Sequence, residues 1–222
     1  FSICNDNEKS RVFENISGKL VNNESWIDLS MPVKANEAGN YGILWSDYDQ
    51  DGDGDLYISK CRAGVTDPND PRRINLFYVN ENGSFSERGA QLGVDDHEQS
   101  WMTVTGDMNG DGLNDLLVGN HYGPSKVFMQ QADHSFEDFT NASGFKPEAV
   151  VIQFALRDWD NDADLDILLS GSGTELWIND GLGHFDKATI NLADKPLSSF
   201  AVGDLNEDGY LDLYSSYAYL LN

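Results

Sequence analysis

Four nine-residue stretches concentrate the side chains able to do chemistry in this chain: DYDQDGDGD (47–55), DMNGDGLND (107–115), DWDNDADLD (158–166) and DLNEDGYLD (204–212). Carboxylate or amide oxygens occupy positions 1, 3, 5 and 9 of every copy. They are Asp47, Asp49, Asp51 and Asp55 in the first loop and Asp107, Asn109, Asp111 and Asp115 in the second. In the third they are Asp158, Asp160, Asp162 and Asp166, and in the fourth Asp204, Asn206, Asp208 and Asp212. Position 7 is Asp53, Leu113, Asp164 or Tyr210, and a backbone carbonyl is expected there. Hard oxygens on alternate residues of a tight loop suit Ca²⁺, which takes about 6–8 oxygen ligands. Magnesium fits so many carboxylates poorly, because it prefers a near-octahedral shell with several waters. Zinc favours Cys and His, which these stretches lack. Up to four Ca²⁺ are therefore expected, one per loop. Five Asp within nine residues repel one another unless a counter-ion sits among them, so the first and third loops are the strongest expected sites.

Two of the loops open with D-x-N-x-D-G, as an EF-hand does. An EF-hand also needs a bidentate Glu at its twelfth position and a helix on either side. The residues at that position are Ile58, Val118, Leu169 and Ser215, all within strand-like runs, so an EF-hand is excluded. Instead the loop closes on an Asp at position 9 and joins two strands. The third loop has Ala163 where the others have Gly52, Gly112 and Gly209. Should that position require a left-handed backbone, Ala163 would be strained.

The strands that position these loops are legible on both sides. YGILWS (41–46), WMTVTG (101–106), IQFALR (152–157) and SSFAVG (198–203) precede them, and LYISKC, LLVGN, ILLSG and LYSSY follow. These runs are short, branched or aromatic, and bounded by turn residues. NLFYVN (75–80), KVFMQQ (126–131) and ELWIND (175–180) then lead through short turns to SFSE, SFED and HFDK. Asn-Gly and Asp-Gly supply the positive φ that tight hairpins want. Each repeat thus holds four strands. The first Asp of successive loops are 60, 51 and 46 residues apart, and the longest interval carries a Pro- and Asp-rich insertion at 66–73, a loop by composition. Four-stranded units at this period are blades of a β-propeller, so the expected class is all-β with antiparallel blades.

The bulk composition narrows the partners. The 222 residues carry a formal charge of −24, with 38 acids against 14 Lys plus Arg. Nucleic acid or an anionic membrane would be repelled. Sixteen of the acids are Asp at candidate ligand positions, and four divalent ions would bring −24 to −16. No run approaches the roughly 18 apolar residues of a membrane span, and no signal peptide is visible at Phe1. Cys4 and Cys61 are too few for a disulfide scaffold. They read as small buried residues, with their pairing open.

These motifs resemble the FG-GAP/VCBS repeat family, in which an apolar strand is followed by D-x-[DN]-x-D-G-x-x-D-L, a second strand and an N-x-G-x-F hairpin. GDMNGDGLNDLLVG (106–119) and LWINDGLGHFDK (176–187) carry the resemblance most clearly. SFEDFTNASGF (135–145) is similar to the linker between blades of the secreted, cartilage-acidic-protein-like branch, and integrin α heads use related repeats. The resemblance implies calcium ligation at the positions named above, with the ion as a structural staple, and no catalytic residue. It also implies a ring of about seven blades, of which this chain would be a portion. On that register residues 1–40 form a partial blade, 41–100, 101–151 and 152–197 complete blades, and 198–222 a second partial blade. A self-contained ring of four or five blades is the alternative.

Other candidate sites are weaker. His97, His121, His134 and His184 form no H-E-x-x-H pattern and read as surface-loop residues. Ser172 lacks a G-x-S-x-G context. Trp45, Trp101, Trp159 and Trp177 read as core, with a sugar-stacking platform as the alternative. N-x-[ST] sequons at Asn15, Asn23, Asn82 and Asn141 are a mild excess over chance and would be glycan acceptors if the chain is secreted by a eukaryote.

The function expected is a non-enzymatic, extracellular, calcium-stabilised module for adhesion or scaffolding. Its partner would be a protein or glycan of the cell surface or matrix, other copies of itself, or the rest of its own propeller. Two alternatives stand beside it: a calcium-dependent lectin, and the non-catalytic propeller portion of a polysaccharide- or lipid-active enzyme.

Overall fold

The computed structural model describes residues 2–190, 199–215 and the backbone of 219–220. Among them are five antiparallel sheets. The first is β1 (Ser2–Ile3), β2 (Arg11–Ile16) and β3 (Lys19–Asn22). The second is β4 (Asn40–Ser46), β5 (Asp55–Lys60), β6 (Leu76–Glu81) and β7 (Ser84–Glu87). The third is β8 (Gln99–Gly106), β9 (Asp115–Tyr122), β10 (Lys126–Gln130) and β11 (Phe136–Asp138). The fourth is β12 (Val151–Arg157), β13 (Asp166–Gly171), β14 (Thr174–Asn179) and β15 (Phe185–Ala188). The fifth is β16 (Phe200–Gly203), β17 (Asp212–Ser215) and β18 (Tyr219–Leu220). Every sheet runs in sequence order, strand beside next strand. Such four-stranded meanders are the blades of a propeller. The ends of the expected runs at 198, 216–217 and 221–222 lie outside the described residues.

Each acidic loop joins the first and second strands of its sheet, so the register is fixed directly beside it. Ser46 pairs with Asp55, Arg157 with Asp166 and Gly203 with Asp212. The second strands β5 and β9 begin with six consecutive buried residues, and β13 with five. Burial on both faces explains why LYISK, LLVGN and ILLSG read as continuous apolar runs rather than as alternating ones.

The chain divides into two compact units, residues 1–103 with 133–136 and residues 104–132 with 137–222. In the first unit Val12, Ile27, Leu29, Leu56, Ile58 and Tyr78 form a buried cluster, flanked by Ile43, Trp45, Leu76 and Phe85. Tyr48, at position 2 of the first loop, packs its ring on Phe77 (4.9 Å) and Phe136 (6.2 Å). In the second unit Leu168, Leu176, Phe200 and Leu213 are buried together with Ala155, Trp159, Ile178 and Val202 packed against them. Phe145 in the same unit sits edge-on to Trp177 at 5.1 Å. Trp177 is thus core, whereas Trp45, Trp101 and Trp159 are half-buried.

Two elements have no counterpart in the sequence reading. A 3-10 turn covers Lys34–Glu37, and a one-turn helix, Gly89–Leu92, is ended by Gly93 in the left-handed conformation. Both are too short to show helical periodicity. Cys61 is buried, Cys4 is half-buried, and both thiols are free. His121 corrects the expectation of loop histidines, since it lies within β9 and is partly buried.

Candidate metal centres

All four loops fold by the same backbone rule. Position 4 takes positive φ at Gln50 (59°), Gly110 (75°), Asn161 (63°) and Glu207 (62°). Position 6 does so at Gly52 (93°), Gly112 (86°), Ala163 (79°) and Gly209 (90°). These two left-handed residues turn successive side-chain oxygens inward. Ala163 therefore occupies a conformation that disfavours a β-carbon.

The position 1 carboxylate gathers backbone N–H groups from the middle of its own loop. Asp47 Oδ2 accepts from Gly52 (3.1 Å), and Asp107 Oδ2 from Gly112 (2.9 Å). Asp158 Oδ2 accepts from Ala163 (3.1 Å), and Asp204 Oδ2 from Gly209 (2.9 Å). Position 5 accepts the N–H two residues on in every copy: Asp51 from Asp53, Asp111 from Leu113, Asp162 from Asp164 and Asp208 from Tyr210.

Position 9 is the anchor. Asp55, Asp115, Asp166 and Asp212 are 0%, 0%, 1% and 0% exposed. One oxygen of each accepts the N–H of position 2: Tyr48 (3.1 Å), Met108 (2.8 Å), Trp159 (2.8 Å) and Leu205 (2.9 Å). The other oxygen of the first three accepts from the third strand, at Asn80, Gln130 and Asn179, each 2.8 Å. Burial pushes Asp55 and Asp115 up to about 6 against the pull of those N–H donors. It also raises Asp166.

Three carboxylates converge in two of the loops. Asp47, Asp49 and Asp55 each offer an oxygen, and these lie within 4.8 Å of one another. Asp158, Asp160 and Asp166 do the same. Asp49 and Asp160 are raised, first by burial and then by the neighbouring Asp51 and Asp162. Oδ1 of Asp49 and Oδ1 of Asp53 are buried without a hydrogen-bond donor. Buried carboxylate oxygens of that kind call for a cation, a water or a proton. The donor set is all oxygen, as a hard divalent cation requires, so these residues fit such an ion.

The remaining expected ligands are placed differently. Asp53 Oδ2 accepts the Asn82 N–H (2.9 Å), tying the loop to the β6–β7 hairpin. Asp164 lies against Gly181 in the β14–β15 hairpin, where a β-carbon would collide with its carboxylate. In the second and fourth loops Asn109 and Asn206 replace the middle carboxylate. Their amides donate to Asp111 Oδ2 (3.1 Å) and Asp208 Oδ2 (2.9 Å). Leu113 and Tyr210 donate their N–H to position 5 as above. Within the second unit, Asn161 Nδ2 of the third loop donates to Gly209 O of the fourth (3.1 Å).

One group was not singled out from sequence. Asn80 and Asn179, which open the hairpin motif, bind loop backbone with their side chains. Asn80 Nδ2 donates to Gly54 O (3.2 Å), and Asn179 Nδ2 to Met108 O (2.8 Å) and Leu165 O (3.1 Å). The signal was the Asn that leads each hairpin, Asn80 ahead of Gly83 and Phe85 and Asn179 ahead of Gly183 and Phe185.

Of the sequons, Asn82 is exposed on a hairpin turn and Asn141 is exposed with its Ser143 fully buried. Asn15 accepts the Gly18 N–H (2.8 Å), and Asn23 is held by Glu14 and Ser25.

Comparison with known proteins agrees with this construction. Cartilage acidic protein 1 of Mus musculus is 32% identical over 99 residues, 43% of this chain and 15% of that protein. The Homo sapiens protein of the same name is 31% identical over 99 residues, again 43% and 15%. That of Xenopus tropicalis is 28% identical over 159 residues, 64% of this chain and 24% of that protein. The chain thus spans between 15% and 24% of the length of these relatives. Among solved structures, the V. cholerae biofilm matrix protein Bap1 superposes with a TM-score of 0.51 at 13% identity, covering 86% of this chain and 30% of that one. This likeness bears on the fold alone. The FG-GAP-like repeat matches three times, over residues 47–118, 107–169 and 158–215, each match running from one acidic loop into the strand after the next. Over residues 47–215, more than half its length, the chain belongs to the FG-GAP-like repeat family.

Proposed function

We propose that this chain is an extracellular, calcium-loaded propeller module that acts by holding its shape and presenting a surface to a protein or glycan, without catalysis. The observation that carries this reading is the pair of carboxylate triads together with the orphaned oxygens of Asp49 and Asp53. Asp47, Asp49 and Asp55 would hold one ion and Asp158, Asp160 and Asp166 another. Asp107, Asn109 and Asp115, and Asp204, Asn206 and Asp212, would form two sites of lower charge. Bound calcium would supply positive charge that cancels the repulsion among these carboxylates. The chain does the rest. Position 9 ties the loop to the third strand, position 1 ties it to its own middle, and the loop fixes the register of strands one and two. Extracellular calcium, near millimolar, keeps sites of modest affinity filled, and the relatives named for cartilage favour that compartment.

The test is a thermal melt with calcium and with EGTA, paired with calorimetric titration. A site filled to 100 times its Kd adds about 2.7 kcal/mol, which is roughly 5–11 °C for a chain of this size. An unchanged melting temperature would sink the proposal, as would a titration showing no site lost in Asp49→Asn or Asp160→Asn.

A further inference from the structure

Within the second unit the second, third and fourth acidic loops are bonded to one another through two side-chain amides that are not expected ligands. Asn179 ends β14 and is 4% exposed. Its Nδ2 donates to Leu165 O (3.1 Å), at position 8 of the third loop, and to Met108 O (2.8 Å), at position 2 of the second. Its Oδ1 accepts the N–H groups of Gly181 (3.2 Å) and Gly183 (3.1 Å). Those two backbone donors fix which end of the amide is oxygen, so its two N–H bonds are left for the two loops. Asn161, at position 4 of the third loop, sends Nδ2 to Gly209 O (3.1 Å), at position 6 of the fourth. We propose that Asn179 and Asn161 are positioning residues that couple the three cation sites, so that filling the third loop tightens the second and the fourth. The proposal rests on the calcium reading and names how its sites depend on one another.

These bonds fall where an ion acts on them. Leu165 stands between Asp164 and Asp166, so closing the third loop on an ion fixes Leu165 O. That carbonyl orients Asn179 Nδ2, whose other N–H then points at Met108 O. The Met108 N–H is in turn held by the buried anchor Asp115 (2.8 Å). Three hydrogen bonds thus join the ligands of the third loop to the anchor of the second. The β14–β15 hairpin tip is wedged along the same path. A β-carbon at Gly181 would collide with the Asp164 carboxylate, and one at Gly110 of the second loop would come 3.7 Å from Gly181 O. One at Gly183 would come 3.7 Å from Met108 O. When the first ion orders structure that two sites share, the second ion pays less to order it. Linkage makes the effect reciprocal. Charge sets the order of filling, because ligand charge tunes cation affinity. The third loop holds the carboxylate triad, while Asn109 and Asn206 stand at position 3 of the second and fourth. The third loop therefore fills first.

The experiment is a calcium titration of the full chain followed by ¹⁵N–¹H NMR. It reads each loop through the amide at position 6: Gly52, Gly112, Ala163 and Gly209, each bonded to the position 1 carboxylate of its own loop. Asp160→Asn disables the third site. The second and fourth should then bind about 2- to 12-fold more weakly, the range one net hydrogen bond carries. The exposed Asn161 bond should give the lower end of that range. The first loop, to which neither amide donates, should keep its affinity. Asn161→Gly keeps the positive φ, as Gly110 does in the second loop, and removes only the bridge. In that background Asp160→Asn should no longer weaken the fourth loop but should still weaken the second. Asn179→Ala should give the converse pattern, and the exposed Asn161 carries the test if the buried variant folds poorly. A merely structural role would lower affinities without changing how one site responds to loss of another. The proposal is overturned if Asp160→Asn disables the third site and leaves the second and fourth at their original affinities, which would leave the calcium reading intact. It is also overturned if the fourth loop responds to Asp160→Asn equally with and without Asn161. If no amide titrates with calcium, the calcium reading falls and this proposal with it.

Discussion

Ala163 gives the loop geometry a stringent test, because it carries a side chain at a position where the other three loops have glycine. Its φ is 79°, against 93°, 86° and 90° at Gly52, Gly112 and Gly209. A β-carbon built at any of those three glycines meets nothing within 4 Å, so the penalty at this position is backbone strain alone. A non-glycine residue in the left-handed region costs about 1–2 kcal/mol. Glycine gives back about 0.4–1 kcal/mol through the greater freedom of the unfolded chain. Ala163→Gly should therefore stabilise by about 0.5–1 kcal/mol, a rise of about 1–4 °C in Tm. Gly112→Ala should lower Tm by the same amount. If the strain is felt only when the loop closes on calcium, the gain appears instead as a roughly two- to fivefold tighter third site. Differential scanning calorimetry with and without calcium, followed by titration of both variants, reads all of these quantities. A neutral or destabilising Ala163→Gly beside a neutral Gly112→Ala would show that the left-handed position is not required, and the shared loop geometry would fall with it.

Two further predictions rest on the buried anchors. Asp55 and Asp115 sit near 6 in the folded chain, above the roughly 3.9 of an unfolded aspartate. The folded state therefore binds more protons between those values, and metal-free stability should rise as pH falls from 7 to 5. Protons compete with the ion for the same oxygens, so the calcium-loaded chain should show the opposite trend, and melts in EDTA and in calcium at pH 5, 6 and 7 should cross. Asp115→Asn turns an amide N–H toward the Met108 or Gln130 N–H that the carboxylate accepts. It should cost about 2–3 kcal/mol by urea denaturation in chelator, whereas exposed Asp111→Asn stays within about 0.5 kcal/mol. Equal effects would remove the anchoring role.

What the sequence made legible is what repeats. Branched and aromatic runs on both sides of each acidic stretch exposed the strands, and Ile58, Val118, Leu169 and Ser215 disposed of the EF-hand. The second role of position 9 was hidden, since its partner is a backbone N–H of Asn80, Gln130 or Asn179, and a backbone donor leaves no mark in residue type. The insertion at 66–73 read as a loop, but its buried Arg73 sends Nε to His97 O at 2.8 Å, which composition does not announce.

The meander separates charge along the strands. Each acidic loop and each hairpin between strands three and four falls at one end of its sheet, which is where Asp47–Asp55 and Asp158–Asp166 meet the hairpin tips through Asn82 and Gly181. The other end in the first unit holds the β5–β6 insertion, whose Arg62 pairs with Asp6 (3.0 Å) and Arg72 with Asp70 (2.6 Å). In the second unit that end holds Glu148 against Lys187. The acidic loops thus gather carboxylates where a cation can answer them, while at the opposite end Asp6, Asp70 and Glu148 each face an arginine or lysine. Acidic charge gathered at one end of each sheet draws divalent ions there.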